Sequence, residues 1–292
     1  MHLSRIALCS FLLTSCAASS FSTGSREELP PSSWSVRLPD PVSAGTTFES
    51  AVIETGLEAH VVHQELPSDS VFTGGDFQLY ALQARVRLNE RVALIATKDG
   101  YIDFNPDAGS DEDGFADIAG GVKFLAYEDP EAGLLVTPGL IYETTSGDDE
   151  VFQSNGDGLL RPFVSVGWDG GKTNVLSTVG YNLPLDNDEE STSADYHLHV
   201  SYEVTPELLP LFELNGITYT SDGDAFVADF EGGDLINLGS NDVQGNTVIS
   251  GAFGFAWRPS DRIQVGLTYE VPFTSREDLL DNRVWFAVLI RL

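Results

Sequence analysis

The sequence predicts an all-β fold: a transmembrane antiparallel up-and-down β-barrel of about twelve strands. Three observations carry that reading. From about residue 55 to Leu292, segments of roughly ten residues alternate apolar and polar positions. The connections between them are alternately short and long. In the clearest segments one parity is free of charge while the other collects it. In lipid, every backbone polar group has to be paired inside a closed sheet, with one strand face against hydrocarbon and the other against a polar interior. A helical span is excluded, because no unbroken apolar run reaches about 18 residues.

The chain opens as an export signal, with His2 and Arg5 before an apolar stretch at residues 6–13 that is too short to cross a bilayer as a helix. Residues 1–15 are therefore expected to be a signal peptide. Leu13-Thr14-Ser15-Cys16 is similar to the lipobox of bacterial lipoproteins, in which the cysteine is acylated and becomes the first mature residue. Ordinary cleavage after Ala18 is the alternative. Either event removes Cys9, so at most one of the two cysteines remains and no intramolecular disulfide can form. Residues 16–45 are rich in Ser, Pro and Glu and have no structural period. They are expected to be a flexible periplasmic tether, with insertion into the barrel mouth as the other reading. Residues 46–292 are assigned to the barrel.

Strands are expected near residues 55–64, 76–88, 91–99, 115–127, 132–145, 158–169, 173–183, 194–204, 207–220, 246–258, 262–273 and 282–292. Turn-forming residues follow every second one: Asn89-Glu90, Asp129-Pro130, Gly170-Gly171, Pro206-Glu207 and Ser260-Asp261. The other connections are longer. In outer-membrane barrels short turns are periplasmic and long loops extracellular, so both ends of the barrel sequence fall on the periplasmic side and the strand number is even. The eleventh segment shows the faces best: Val265, Leu267, Tyr269 and Val271 on one side, Gln264, Gly266, Thr268 and Glu270 on the other. The ninth, around residues 208–214, is ambiguous, and His63 and Lys98 fall on the outward parity. Trp168, Tyr202 and Trp257 border tight turns, while Tyr142, Tyr181 and Tyr196 border long loops, which gives two aromatic girdles. A soluble sandwich or lipocalin-like barrel would have shorter strands and no such regular alternation of connections.

With 15 Lys and Arg against 45 Asp and Glu, the formal net charge is -30, and nucleic-acid binding is excluded for want of clustered cations. Much of the excess acid is in the long connections, at residues 107–113, 148–150, 186–190 and 222–224. No complete calcium loop is present, so these read as solvated surface. The longest connection, about 221–245, also carries Phe226, Val227, Phe230, Leu235 and Ile236 and is expected to pack as a constriction or lid.

Inward parity collects Glu58, His60, Arg85, Arg87, Asp99, Asp117, Lys123, Glu143, Arg161, His197, His199, Glu203, Glu213 and Glu270. These are the expected pore-lining residues. Opposed charges across a lumen set ion selectivity, and they equally well brace a filled barrel. His197 and His199 share one strand face, but no third ligand is assignable, so lumen hydrogen bonding is expected and no metal or cofactor. Without a nucleophile motif such as G-x-S-x-G, an enzyme is not expected.

The stretch Gly114-Phe115-Ala116-Asp117-Ile118-Ala119-Gly120-Gly121-Val122-Lys123-Phe124 resembles the Gly-x-x-Asp-x-x-x-Gly-x-Lys-aromatic strand of a broad family. Its members are bacterial outer-membrane β-barrel transporters of the meta-pathway phenol-degradation type. The strand rhythm resembles that family over most of the mature chain, although the C-terminus is Leu292 where such barrels usually end in Phe or Trp. The resemblance implies a bacterial outer-membrane location and passive passage of a small solute. Its partners would be outer-membrane lipids, the barrel-assembly machinery and that solute, for a monomer or small homo-oligomer. A sealed structural or surface-interaction barrel is the competing expectation.

Overall fold

The computed structural model describes residues 33–292; the expected signal peptide, the acylation site Cys16 and residues 17–32 lie outside the described residues. The strands are β1 (Gly56–Glu65), β2 (Gly75–Arg87), β3 (Val92–Lys98, resuming at Tyr101–Pro106) and β4 (Glu112–Phe115, Ala119–Phe124 and Tyr127–Asp129). They continue as β5 (Leu134–Glu143), β6 (Leu159–Asp169), β7 (Thr173–Pro184), β8 (Thr192–Tyr202), β9 (Leu208–Ser221), β10 (Thr247–Ser260), β11 (Ile263–Pro272) and β12 (Asn282–Arg291). Each pairs antiparallel with its sequence neighbours, and β1 pairs with β12 from Gly56↔Arg291 to Glu65↔Asn282, closing a twelve-stranded barrel.

The sheet follows the expected rhythm except around β3 and β4. There the hairpin runs on beyond residue 99, and the connection shrinks to residues 107–111. Outward positions of this extension are Tyr101, Asp103 and Asn105, so it loses the apolar parity by which a lipid-facing strand is recognised. The register shifts between Ala96 and Lys98. Gly100 takes a φ of +122°, and a Cβ there would lie 2.5 Å from the Tyr80 carbonyl, so the break needs glycine.

Outer faces are apolar. Leu57 and Val61 of β1, Leu82 and Val86 of β2, Leu267 and Tyr269 of β11, and Phe286 and Ile290 of β12 all stand exposed around the wall. Glu58, Arg85, Glu270 and Arg291, on the opposite parity of the same strands, are buried. The ambiguity of β9 also has a physical origin. Its inward side carries Leu209 and Leu211, which share an apolar cluster with Val42, so neither face of this strand reads as polar along its first half.

The tether expectation is corrected. Residues 34–54, which cross the expected boundary at 45/46, run inside the barrel, and strand β1 begins only at Gly56. A short helix, α1 (Ser33–Arg37), sits at the short-turn end: Trp34 Nε1 donates to Glu128 at 2.7 Å, Arg37 pairs with Asp169 at 2.5 Å, and Arg258 donates to the Val36 carbonyl. The chain climbs to Thr46, whose hydroxyl donates to the carbonyl of Asp234 in the longest loop at 3.1 Å. It then returns, and the Thr55 hydroxyl accepts the Arg87 N–H beside the short turns. Trp34, Leu38, Phe48, Ala51, Val52 and Ile53 form one apolar cluster with the wall residues Ala93, Leu125, Leu135 and Leu176. Burying such side chains contributes about 1.5–3 kcal/mol each, which a solvated tether would forgo. The polar composition belongs to the residues before Trp34 rather than to this hairpin.

From the other end, residues 222–246 fold inward over the mouth. Leu235, Ile236 and Leu238 are buried in a cluster that includes Phe77, Ile102 and Trp285. Glu231 is the loop's internal anchor, accepting from Ser191 Oγ at 2.6 Å, Leu238 N at 2.7 Å and Ser240 N at 2.8 Å. Burial nevertheless raises its carboxyl above the usual range.

Two outcomes test this architecture. Leu267→Arg puts charge on the lipid face at a cost of about 2–4 kcal/mol near the midplane, and is expected to lower the heat-modifiable, folded fraction on refolding into lipid. Glu231→Ala leaves four donors without their acceptor and is expected to make the 222–246 loop cleavable by protease while the barrel keeps its heat-modifiable mobility.

Candidate functional site

The lumen is the concave, charged part of the molecule, and the inserted hairpin organises it. A chain without regular secondary structure brings its peptide groups into the interior unpaired, and the wall has to answer them. Gln264 does so twice, accepting from Asp40 N at 3.0 Å and donating to Asp40 O at 2.9 Å. Glu213 accepts from Val42 N at 2.8 Å and Ser43 N at 2.7 Å. Gln83 donates to Gly45 O, Arg161 to Thr47 O, Ser165 and Thr178 to Glu49 O, Lys123 to Ser50 O and Thr137 to Ala51 O.

Ion pairs fasten the same segment. Glu49 meets Arg85 at 2.9 Å and Lys123 at 2.6 Å, and Arg85 also holds Glu58 of the wall at 2.7 Å. Lower in the lumen, Arg291 pairs with Glu54 at 2.9 Å and with Asp40. All these groups are at least nine-tenths buried. Removing one member of such a pair typically costs about 3–5 kcal/mol, because the other is left charged and dry.

Most expected pore-lining residues do point inward, but they meet protein. Glu58, Arg85 and Lys123 clamp Glu49 as described. Arg161 pairs with Asp195, and Gly180 beside it leaves room for the guanidinium, where a Cβ would collide. His197 stacks on Phe48 at 5.0 Å and faces Asn215 and Asp195 at 2.9 and 3.2 Å; His199 faces Glu213 at 2.7 Å. Glu270 holds Arg283 at 3.0 Å and accepts from Ser250 and Trp285. Among the described residues no three His, Cys, Asp or Glu side chains converge as a metal site. Asp117 and Glu143 border a chamber at the loop end.

Three expected positions differ. Asp99 occupies the break in β3, and its carboxylate accepts the Leu82 N–H at 2.8 Å instead of lining the lumen. The same register shift turns Lys98 inward, onto Glu143 at 2.5 Å, against its outward parity. Glu203 lies at the rim beside the short turn, with its N–H on the Lys172 carbonyl. Arg87 is half-buried near the same end.

The chamber at the loop end has a volume of about 70 Å³ and lies between the hairpin tip at Thr46 and Thr47, the 222–246 loop and strands β3 to β8. Glu190, in the β7–β8 loop, faces it. Burial, helped by the nearby Glu143 and Asp117 and opposed by Lys98, pushes this carboxyl up to about 8. On the far side of the tip a second chamber of about 40 Å³ is bordered by Ala44, His197 and Asp278. Burial lifts Asp278 to about 6 against the pull of Arg276 at 3.1 Å.

Asp40, Glu49, Glu54, Asp195, Arg283 and Arg291 were not among the expected lumen residues. Strand parity alone places Asp195, Arg283 and Arg291 inside, since each alternates with outward apolar neighbours. For the hairpin carboxylates the available signal is the apolar content at Leu38, Val42, Phe48 and residues 51–53, which a solvated tether does not need.

A family model described as "Putative MetA-pathway of phenol degradation" matches residues 46–288. Among solved structures, an outer membrane channel from Pseudomonas putida F1 is similar with a TM-score of 0.61 at 13% identity, over 87% of this chain and 100% of that one. The KdgM porin is similar with a TM-score of 0.46 at 10% identity, over 80% of this chain and 99% of that one. Nothing among curated proteins matches the chain. At these identities the structural likeness is one of fold, a closed outer-membrane-type barrel. The family match runs from the hairpin tip to the last strand, and the chain belongs to the family described as "Putative MetA-pathway of phenol degradation".

Proposed function

We propose that this protein is a bacterial outer-membrane channel for passive passage of small solutes, closed in the conformation described here by its own N-terminal hairpin. The observation that carries the reading is what fills the barrel. Barrels of about eight strands are filled by their own side chains, whereas 16–18 strands enclose an aqueous channel. Twelve strands leave space between those limits, and here it is occupied by residues 34–54, a segment outside the wall. The wall behind that segment is polar and charged, as a hydrated conduit requires. The P. putida protein, which shares the fold, is described as an outer membrane channel. In this reading the short turns and the hairpin's entry face the periplasm, the long loops face outward, and the apolar belt meets outer-membrane lipid.

Passage then depends on the hairpin yielding, and the charged residues act first as its clamp. The selectivity role expected for Arg85 changes accordingly: it is held between Glu49 and Glu58, so replacing it by Glu would place three carboxylates together and loosen the hairpin before it altered any field.

Planar-bilayer recording tests this. The wild type is expected to show low conductance with brief openings, and a variant lacking residues 34–54 a steady conductance several-fold higher, with heat-modifiable mobility confirming that its barrel folds. A folded deletion variant that conducts no better than the wild type would refute the conduit and leave a sealed structural barrel. Glu49→Gln, which takes the charge from between Arg85 and Lys123, is expected to raise open probability at least tenfold without changing the size of the open level.

A further inference from the structure

The chamber at the loop end is built in a way that hairpin closure does not explain. Among the described residues, five polar atoms of residues bordering it are buried and have no hydrogen-bond partner: Thr97 Oγ1, Arg161 Nη1, Glu190 Oε2, Tyr219 Oη and Asp234 Oδ2. A buried polar atom without a partner costs about 1–3 kcal/mol, and here several share one small cavity. Their charges are not equivalent. Arg161 is committed to Asp195, Lys98 to Glu143 and Asp234 to Arg283. Asp117 accepts from the N–H groups of Gly147 and Ser154 at 2.8 and 3.0 Å. Glu190 is only 6% exposed and, among the described residues, lacks an ion pair. The chamber therefore brings together a carboxylate without a cationic partner there, further acceptors in Thr97 and Asp234, the Tyr219 hydroxyl and one spare guanidinium donor.

We propose that this chamber binds a small organic cation carrying a primary ammonium group and an adjacent hydroxyl, with the ammonium on Glu190 and the hydroxyl accepting from Arg161. A primary ammonium presents three donors, which suits the acceptors Glu190, Asp234 and Thr97. A cation also supplies the charge Glu190 lacks, and the acidic loops raise its local concentration at the mouth. At about 70 Å³ the chamber suits a solute of a few heavy atoms. The site lies on the loop side of the hairpin tip and is reached past Lys98 and Glu143, which keep partial exposure. Binding thus requires no movement of the hairpin, and its failure would leave the channel reading untouched.

The test is equilibrium binding of ethanolamine hydrochloride to the refolded full-length protein, by calorimetry and by thermal shift, at constant ionic strength. The expected result is saturable binding of ethanolammonium that is at least tenfold weaker in Glu190→Gln, with sodium acetate giving no saturable signal. Glu190→Gln is isosteric and mimics the protonated acid, so it should fold. Wild-type affinity supplies a readout that needs no variant. The charged groups facing Glu190 are Glu143, Lys98, Asp117 and Glu231, and ethanolammonium stays a cation through the range used. Affinity is expected to rise between pH 6.5 and 8.5 as Glu190 loses its proton near 8. Absence of saturable binding, equal affinity in Glu190→Gln, acetate binding as well as ethanolammonium, or a flat pH dependence would each overturn the proposal.

Discussion

A peptide segment without secondary structure, buried inside a barrel, imposes one requirement on everything around it. Each of its N–H and C=O groups needs a partner, and strand ladders cannot supply one because the wall has spent its own backbone on closing the sheet. The partners therefore come from inward side chains. Gln83, Lys123, Thr137, Arg161, Ser165, Thr178, Glu213 and Gln264 all bind hairpin main chain. The wall's polar lining is explained by this before any solute is considered. The apolar part of the lining follows the same logic, since Leu209 and Leu211 stand inward against the apolar side chain of Val42, whose N–H is taken up by Glu213.

Charge is added on top of that hydrogen-bonding frame, in a particular order. Glu49 is bound by two cations from different strands, and they offset the cost of burying its carboxylate. Arg291 gathers Asp40 from the rising arm and Glu54 from the returning arm, so one wall residue ties both arms at their base. The tip meets the outer loop differently, through the Thr46 hydroxyl on the Asp234 carbonyl, with Arg283 steadying the Asp234 side chain at 2.8 Å. Strong ionic contacts thus lie near the hairpin's base and middle, and a neutral contact joins it to the outer loop. Release from the short-turn end requires breaking several buried pairs, whereas parting of tip and loop loses one ordinary hydrogen bond, typically about 0.5–1.5 kcal/mol.

How much of this was legible in the sequence depends on periodicity. Strand number, closure, the alternating connections and the inward parity of Glu58, Arg85, Asp117, Lys123, Arg161 and Glu270 all follow from a period of two, which any lipid-facing barrel must keep. Lys98 and Asp99 were misplaced because one register shift reverses parity beyond it, and a bulge leaves no mark in the apolar pattern apart from the nearby Gly100. The hairpin had no period to read. Its conformation is set by side chains far away in sequence, such as Gln264 on Asp40 across 224 positions, and local pattern carries nothing about them. The chamber at the loop end was hidden for the same reason, since Glu190 sits in a run of acids that otherwise reads as solvated surface.

The distribution of ion pairs also bears on what an open state would look like. Arg161 with Asp195, Arg283 with Glu270, His199 with Glu213, and Arg85 with Glu58 are pairs within the wall, and they persist when the hairpin is gone. Among the described residues Lys123 and Arg291 have no such reserve, because every ion-pair partner they have there belongs to the hairpin. Displacement would therefore expose two cations at separate heights of the wall, while removing three carboxylates, Asp40, Glu49 and Glu54, from the lumen. In water those two cations are readily solvated, which lowers the cost of opening compared with breaking the same pairs in a dry core. A hydrated lumen so arranged favours anions relative to the closed state, although the loops above it are strongly acidic. The opposition between a cation-attracting mouth and a cationic inner wall follows from which residues pair with the hairpin and which pair with the wall.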